Sequence, residues 1–128
     1  MTMSKVETFE DLDTYKIFRD LRIKISKIVQ TFPDVEKYRL IDQIIRASRS
    51  ITANIAEGYG RYHYQENTQF CRQARGSAYE LLEHINVALD EKYISTDVYN
   101  TFRKIIFNGI KTINGYVRYL QKQKLSTD

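Results

Sequence analysis

The sequence predicts an all-α protein, a single antiparallel up-down-up-down four-helix bundle. Three observations predict it. Proline occurs once, as Pro33, in a chain of 128 residues, and helix interiors are what exclude proline most strongly. Apolar residues recur at intervals of three and four through four long segments, which is the period of one helix face. The links between those segments are short, which makes successive helices antiparallel neighbours.

The first segment runs from about residue 9 to residue 32. Leu12, Tyr15, Phe18, Leu21, Ile25, Ile28, Val29 and Phe32 form its apolar stripe. Glu10, Asp11 and Asp13 sit near its start, where the helix dipole favours anions. Pro33 ends it, because the residue before a proline is pushed out of the helical region. The second segment starts around Asp34, a candidate N-cap. Leu40, Ile41, Ile44, Ala47, Ile51 and Ile55 give its stripe. Gly58 and Gly60 are expected to stop it, through the left-handed conformation that glycine adopts past a helix end.

Residues 59–64 read as a connection. The third segment runs from about 65 to 91, with Phe70, Ala74, Ala78, Leu81, Leu82, Ile85 and Leu89. Gly76 interrupts it, at a cost of roughly 1 kcal/mol relative to alanine. With Ala74, Ser77 and Ala78 it makes a thin stretch of helix, read as the close approach of another helix or a side chain. The fourth segment opens at Ser95-Thr96-Asp97, an N-cap followed by an early anion. Val98, Phe102, Ile105, Ile106, Gly109, Ile110, Ile113, Val117 and Leu120 carry it to near Lys122. Each helix is roughly 30 to 40 Å long at about 1.5 Å per residue. One domain covers residues 9–122, with flexible termini at 1–8 and 123–128.

Composition narrows the class further. Apolar residues are 42% and charged residues 28%, and the mean hydropathy is −0.50, a soluble globular balance. A single cysteine excludes an internal disulfide framework and a multi-thiolate zinc site. No apolar run approaches the roughly 18 residues of a membrane span, and residues 1–7 lack an apolar signal core. The expectation is a cytoplasmic protein with no membrane partner. Net charge is +4, permissive for nucleic acid without being diagnostic. Its distribution says more. Residues 95–124 hold six cations and one anion, whereas residues 63–91 hold two cations and five anions. The two segments are electrically complementary.

Few constellations could carry chemistry. Di-iron bundles need Glu-x-x-His pairs, and neither His63 nor His84 has a glutamate three residues before it. Cys71 lies beside Phe70 with no partner base at a useful spacing, so it reads as a small core or interface residue. Gly58-Tyr59-Gly60-Arg61 resembles a phosphate loop only superficially, because a phosphate loop opens a helix and this run closes one. Ser50, Asn54 and Glu57 share one face of the second helix. They read as a catalytic cluster or, better, as a polar network that sets helix register, with Arg46, Arg49 or Arg75 as partners for Glu57. No catalytic residue, cofactor or metal ligand is assigned.

On the fourth helix Lys104, Lys111 and Arg118 are spaced by seven, and Lys122 follows by four. They form one stripe opposite Phe102, Ile106, Ile113 and Leu120. It is either a solvated face or a face for phosphates. Tyr59, Tyr62 and Tyr64, around Arg61 and His63, form a basic-aromatic connection. Such a mix stacks on bases or packs on a neighbouring subunit.

Several runs carry a family resemblance. They are Phe9-Glu10-Asp11-Leu12, Phe32-Pro33, the stretch from Asp42-Gln43-Ile44-Ile45-Arg46-Ala47 through Asn54-Ile55-Ala56-Glu57-Gly58-Tyr59-Gly60-Arg61, and Ala74-Arg75-Gly76-Ser77. Together they resemble the four-helix bundle proteins encoded in 23S ribosomal RNA intervening sequences, over about residues 9–122. Thr52 departs from a pattern that often has proline there, and the fourth helix is unusually rich in isoleucine and tyrosine. The resemblance implies a bacterial cytoplasmic bundle and a ring-like homo-oligomer, a pentamer. It extends to the accessory variability determinants of diversity-generating retroelements, basic bundles that bind nucleic acid and a reverse transcriptase. The family name records where some genes lie and implies no activity. Ser50, Asn54, Glu57, Gly58, Arg75 and Gly76 match as signature positions, and we read them as structural.

Three functions remain in competition. The first is a non-catalytic oligomer that binds RNA or DNA through Lys104, Lys111, Arg118, Lys122 and Arg61. The second is a scaffold with only protein partners, in which the basic helix is consumed by the acidic third one. An enzyme is the third, and no spacing supports it.

Overall fold

In the computed structural model, which describes residues 5–127 with side chains as far as 125, most of the chain lies in four α-helices. Helix α1 spans Asp13–Ile28, α2 Leu40–Tyr59, α3 Tyr64–Asp90 and α4 Thr96–Thr127. No strand occurs among the described residues. Helix α1 packs on α2 and α4, and α3 packs on the same two helices. Each helix therefore has two neighbours around a square, and short links run them up, down, up and down. The expected fold class is the one found. No helix among the described residues is long and apolar enough to cross a membrane.

The core is made by the stripe positions. Phe18, Leu21 and Ile25 of α1, Ile44, Ile51 and Ile55 of α2, and Ala74, Ala78, Leu81 and Ile85 of α3 are all buried. Helix α4 adds Ile106, Ile113 and Leu120. Burying one leucine or isoleucine side chain is worth about 1.5–3 kcal/mol. By contrast, the pairs Lys24–Asp20, Arg46–Asp42 and Arg61–Glu57 are four residues apart and about half exposed or more. Pairs of that kind contribute about 0.3–0.5 kcal/mol each. Apolar packing holds the bundle together.

Boundaries depart from expectation in four places. Asp34 does not cap α2. Residues Asp34–Glu36 form a 3-10 turn, and α2 begins at Leu40, after an Arg39 whose backbone (φ −121°, ψ −105°) leaves the helical region. Pro33 holds the chain extended (ψ 145°) as it turns the corner, so the helix starts only where Leu40 reaches the core. The start of the first segment is also a 3-10 turn, Phe9–Asp11, broken from α1 by an extended Leu12. Thr8 caps that turn: its Oγ1 accepts from Glu10 N, and Asp11 Oδ2 accepts from Glu7 N and Thr8 N. Those two backbone donors hold the Asp11 carboxyl below its ordinary pKa.

Gly58 and Gly60 do not form a left-handed cap. Helix α2 runs through Gly58 to Tyr59, and Gly60 follows in right-handed conformation at φ −73°. A Cβ on Gly58 would lie 2.7 Å from Asn67 Oδ1 and 2.8 Å from Phe70 Cβ, so this glycine lets α2 and α3 approach. The left-handed residue is Lys92 (φ 63°), just past α3. There Tyr93 N donates to Ala88 O and Lys92 N to Leu89 O, the paired bonds of a Schellman cap.

Gly76, unlike Gly58, makes no close approach, contrary to expectation, since a Cβ there would meet nothing within 4 Å. The tight contact is at Gly109, where a Cβ would collide with the edge of the Phe18 ring. Helix α4 continues to Thr127, past its expected end near Lys122. Of the segments expected to be flexible, residues 1–4 and 128 lie outside the described residues.

Candidate nucleic-acid interface

Three features of the bundle bear on function: a row of cations on α4, a polar belt across three helices, and a tyrosine cleft at one end. The cations follow from helix geometry. A spacing of seven returns to almost the same face, so Lys104, Lys111 and Arg118 line up over about 21 Å of α4. All three are exposed, and Lys122 continues the row. Phe102, Ile106, Ile113 and Leu120, on the opposite face, are buried. Lys104, Lys111 and Arg118 take part in no ion pair among the described residues. The acidic third helix therefore does not consume them within one chain. Its carboxylates Glu66, Glu83 and Asp90 are exposed in their own right.

Arg61 stands apart from this row. It lies in the link between α2 and α3, where its Nη2 donates to Glu57 Oε2 at 2.8 Å. That bond raises the guanidinium pKa above its usual value. The guanidinium also sits 5.1 Å from the centroid of the Phe70 ring. Arg61 is thus the partner of Glu57, in place of Arg46, Arg49 or Arg75. Arg46 pairs with Asp42 instead.

The polar belt accounts for three of the six signature residues, Ser50, Asn54 and Arg75. Ser50 Oγ and Ser77 Oγ share a hydrogen bond of 2.8 Å that joins α2 to α3. Asn54 Nδ2 donates to Ser50 O at 2.9 Å and to Ser50 Oγ at 3.1 Å. Arg75 Nη1 donates to Asn114 Oδ1 at 2.7 Å, which joins α3 to α4. These bonds fix the register of three helices and leave Glu57 outside, on the surface. Asn114 is not among the residues singled out from the sequence, and Ser77 enters only through the thin stretch and the Ala74–Ser77 run, not as a partner of Ser50. The available signal was a polar residue inside an apolar pattern, as Asn114 is beside Ile113.

At the end of the bundle where α2 turns into α3, a cleft of about 520 Å³ opens. Tyr59 at the end of α2, Tyr62 in the link and Tyr64 at the start of α3 line one side, and Tyr116, Tyr119 and Leu120 of α4 another. The Tyr116 and Tyr119 rings are stacked, with centroids 6.2 Å apart and planes at 11°. Asn67 Nδ2 donates to the Tyr116 hydroxyl at 3.0 Å, and burial pushes that phenol up to about 12. The link and the C-terminal half of α4, far apart in the chain, meet here.

The nucleophile and metal candidates fall into place around these features. Cys71 is 1% exposed, and burial pushes its thiol up to about 11. It is a core residue, as its sequence context suggested. His84 Nε2 lies 3.4 Å from Glu80 Oε1 on the α3 surface, and His63 is exposed in the link. Among the described residues no group of three or more His, Cys, Asp or Glu is placed to hold a metal ion.

The family resemblance read from the signature runs has independent support. The family model described as 23S rRNA-intervening sequence protein matches residues 10–115. The chain belongs to the 23S rRNA-intervening sequence protein family. No curated protein matches it. The match to the intervening-sequence family includes the whole polar belt, from Ser50 to Asn114, and stops short of Arg118 and Tyr119. In this intervening-sequence protein, then, the belt lies within the matched segment, whereas the last part of α4 lies beyond it.

Proposed function

We propose that this intervening-sequence family protein is a non-catalytic, self-assembling helical bundle that binds nucleic acid, RNA first, through the basic face of α4. One observation carries the reading: Lys104, Lys111 and Arg118 stand exposed in a single row without ion-pair partners among the described residues. Cations in a row attract phosphates and release their counterions, which supplies affinity without sequence preference. The family resemblance supports a cytoplasmic bacterial setting and a pentameric ring, in which five such faces would act together.

Binding of the nuclease-treated protein to structured RNA and duplex DNA across a salt series tests this. Affinity falls steeply as salt rises, and Lys104→Gln, Lys111→Gln and Arg118→Gln together flatten the log–log slope by about 2–3. Equal RNA binding by the triple variant and the parent removes the row from the interface. The exposed carboxylates of α3 favour a second reading, a protein scaffold in which α3 of one copy meets α4 of the next. Absence of binding at low salt, with an oligomer that dissociates as salt rises, is its signature.

A further inference from the structure

The tyrosine cleft, which Arg61 also lines, opens beside the row of cations. Arg118 precedes Tyr119 on α4, and one residue turns a helix by about 100°. Tyr119 therefore stands on the flank of the row, about a quarter-turn from Arg118, where a base can reach it from a strand whose phosphates follow Lys104, Lys111 and Arg118. Tyr119 is 54% exposed and Tyr62, across the cleft, is 98% exposed. The Tyr62 ring contributes almost nothing to the core, so its apolar faces are available to a partner.

We propose that the cleft takes an unpaired base of a single-stranded RNA whose backbone runs along the α4 cations. The inference rests on the nucleic-acid reading above and specifies which part of the RNA the bundle end holds. Four features support this occupant. The cleft, at about 520 Å³, lies within the ~300–1,000 Å³ of typical small-ligand sites. Tyr119 already stacks on Tyr116, and its outer face extends that stack to a third ring. The Tyr116 hydroxyl accepts from Asn67, so its own proton is left to donate to a base carbonyl or ring nitrogen. The neighbouring cations complement the phosphates on either side of the held base. Bases inside a duplex present only their edges, and only a splayed base offers a face for stacking.

The test uses the full chain with two probes of equal length: a single-stranded RNA carrying one 2-aminopurine, and an RNA duplex. The variants are Tyr62→Ala/Tyr119→Ala, the same pair changed to Phe, and the Lys104/Lys111/Arg118→Gln triple. Circular dichroism and solution mass are recorded for each. Both tyrosines are exposed, so the helical signal is retained.

The parent quenches 2-aminopurine and prefers the single strand. The Ala pair loses about tenfold or more in single-strand affinity, keeps its duplex affinity, and the Phe pair recovers the loss. Single-strand binding by the Ala pair equal to the parent's overturns the cleft while leaving the cationic row in place, provided the triple variant is weakened. A weakened Ala pair beside an unaffected triple variant keeps the cleft and removes the row. A drop in solution mass on Ala substitution, with RNA binding intact, assigns the cleft to a second copy of the chain and overturns the inference. No binding of either probe at low salt overturns both readings.

Discussion

Gly58 sits where α2 and α3 come together, and Gly76 faces open space. Gly76 lies in the middle of α3 and carries a backbone entropy cost of about 0.5–1 kcal/mol, whereas Gly58 is the last residue but one of α2. Only Gly58 has another helix packed against it. Gly76→Ala is therefore expected to raise stability by about 0.5–1 kcal/mol, and Gly58→Ala to lower it by about 1–3 kcal/mol through overpacking. Urea midpoints of the two variants check this, and a matching sign at both positions would contradict the assignment. The pair also shows what sequence reading lacks at this scale. A glycine in a helical pattern signals a special position, but neighbours from another helix decide whether it is a close contact or an exposed weak point. Glu57 teaches the same lesson. Its face of α2 was legible, while its partner Arg61 came from the link that the chain forms after the helix ends.

Helices themselves were legible because their period is a property of the chain. All four are present, and the apolar stripes supply most of the buried residues, although in α3 Phe70, Leu82 and Leu89 are only half-buried while Cys71 and Ala88 are in the core. Ends were less legible. Ser95 accepts from Val98 N at 3.1 Å and caps α4 as its type and position suggested. The end of α3 gave no such signal, because its left-handed residue is a lysine. A non-glycine residue in that conformation costs about 1–2 kcal/mol. Lys92→Gly is expected to recover about 0.5–1 kcal/mol of that strain, net of added chain entropy. Thermal unfolding of the variant reads the change directly, and a lowered midpoint would place the strain elsewhere. Asp34 failed as a cap for a related reason. Pro33 and Asp34 favour a turn whether or not a helix follows at once, and here the 3-10 turn Asp34–Glu36 comes first.

For the molecule as a whole, legibility divides along the same line. The row on α4 was visible because seven-residue spacing lies within one helix. The cleft was only half visible, since Tyr116 and Tyr119 are some fifty residues from the link they meet. Two groups buried by that assembly give it a pH signature. The Cys71 thiol is pushed from 9.0 to about 11 and the Tyr116 phenol from 10.0 to about 12, both mainly by burial. The folded protein keeps these protons at pH values where the unfolded chain has lost them. Their contribution is fully present below about pH 9 and is lost as pH rises through 9 to 12. Denaturant midpoints between pH 7 and 12 are expected to fall over that window, and Cys71→Ala to flatten the part between 9 and 11. A midpoint unchanged to pH 11 would mean that neither group is shielded.

Phe18 and Gly109 belong to two helices and fill one space between them. The ring of α1 takes the volume that a side chain on α4 would occupy. Neither position can vary alone without leaving a hole or a collision. Across related chains, the two are expected to mutate as a pair, with a methyl or larger group at 109 inherited only alongside a smaller residue at 18.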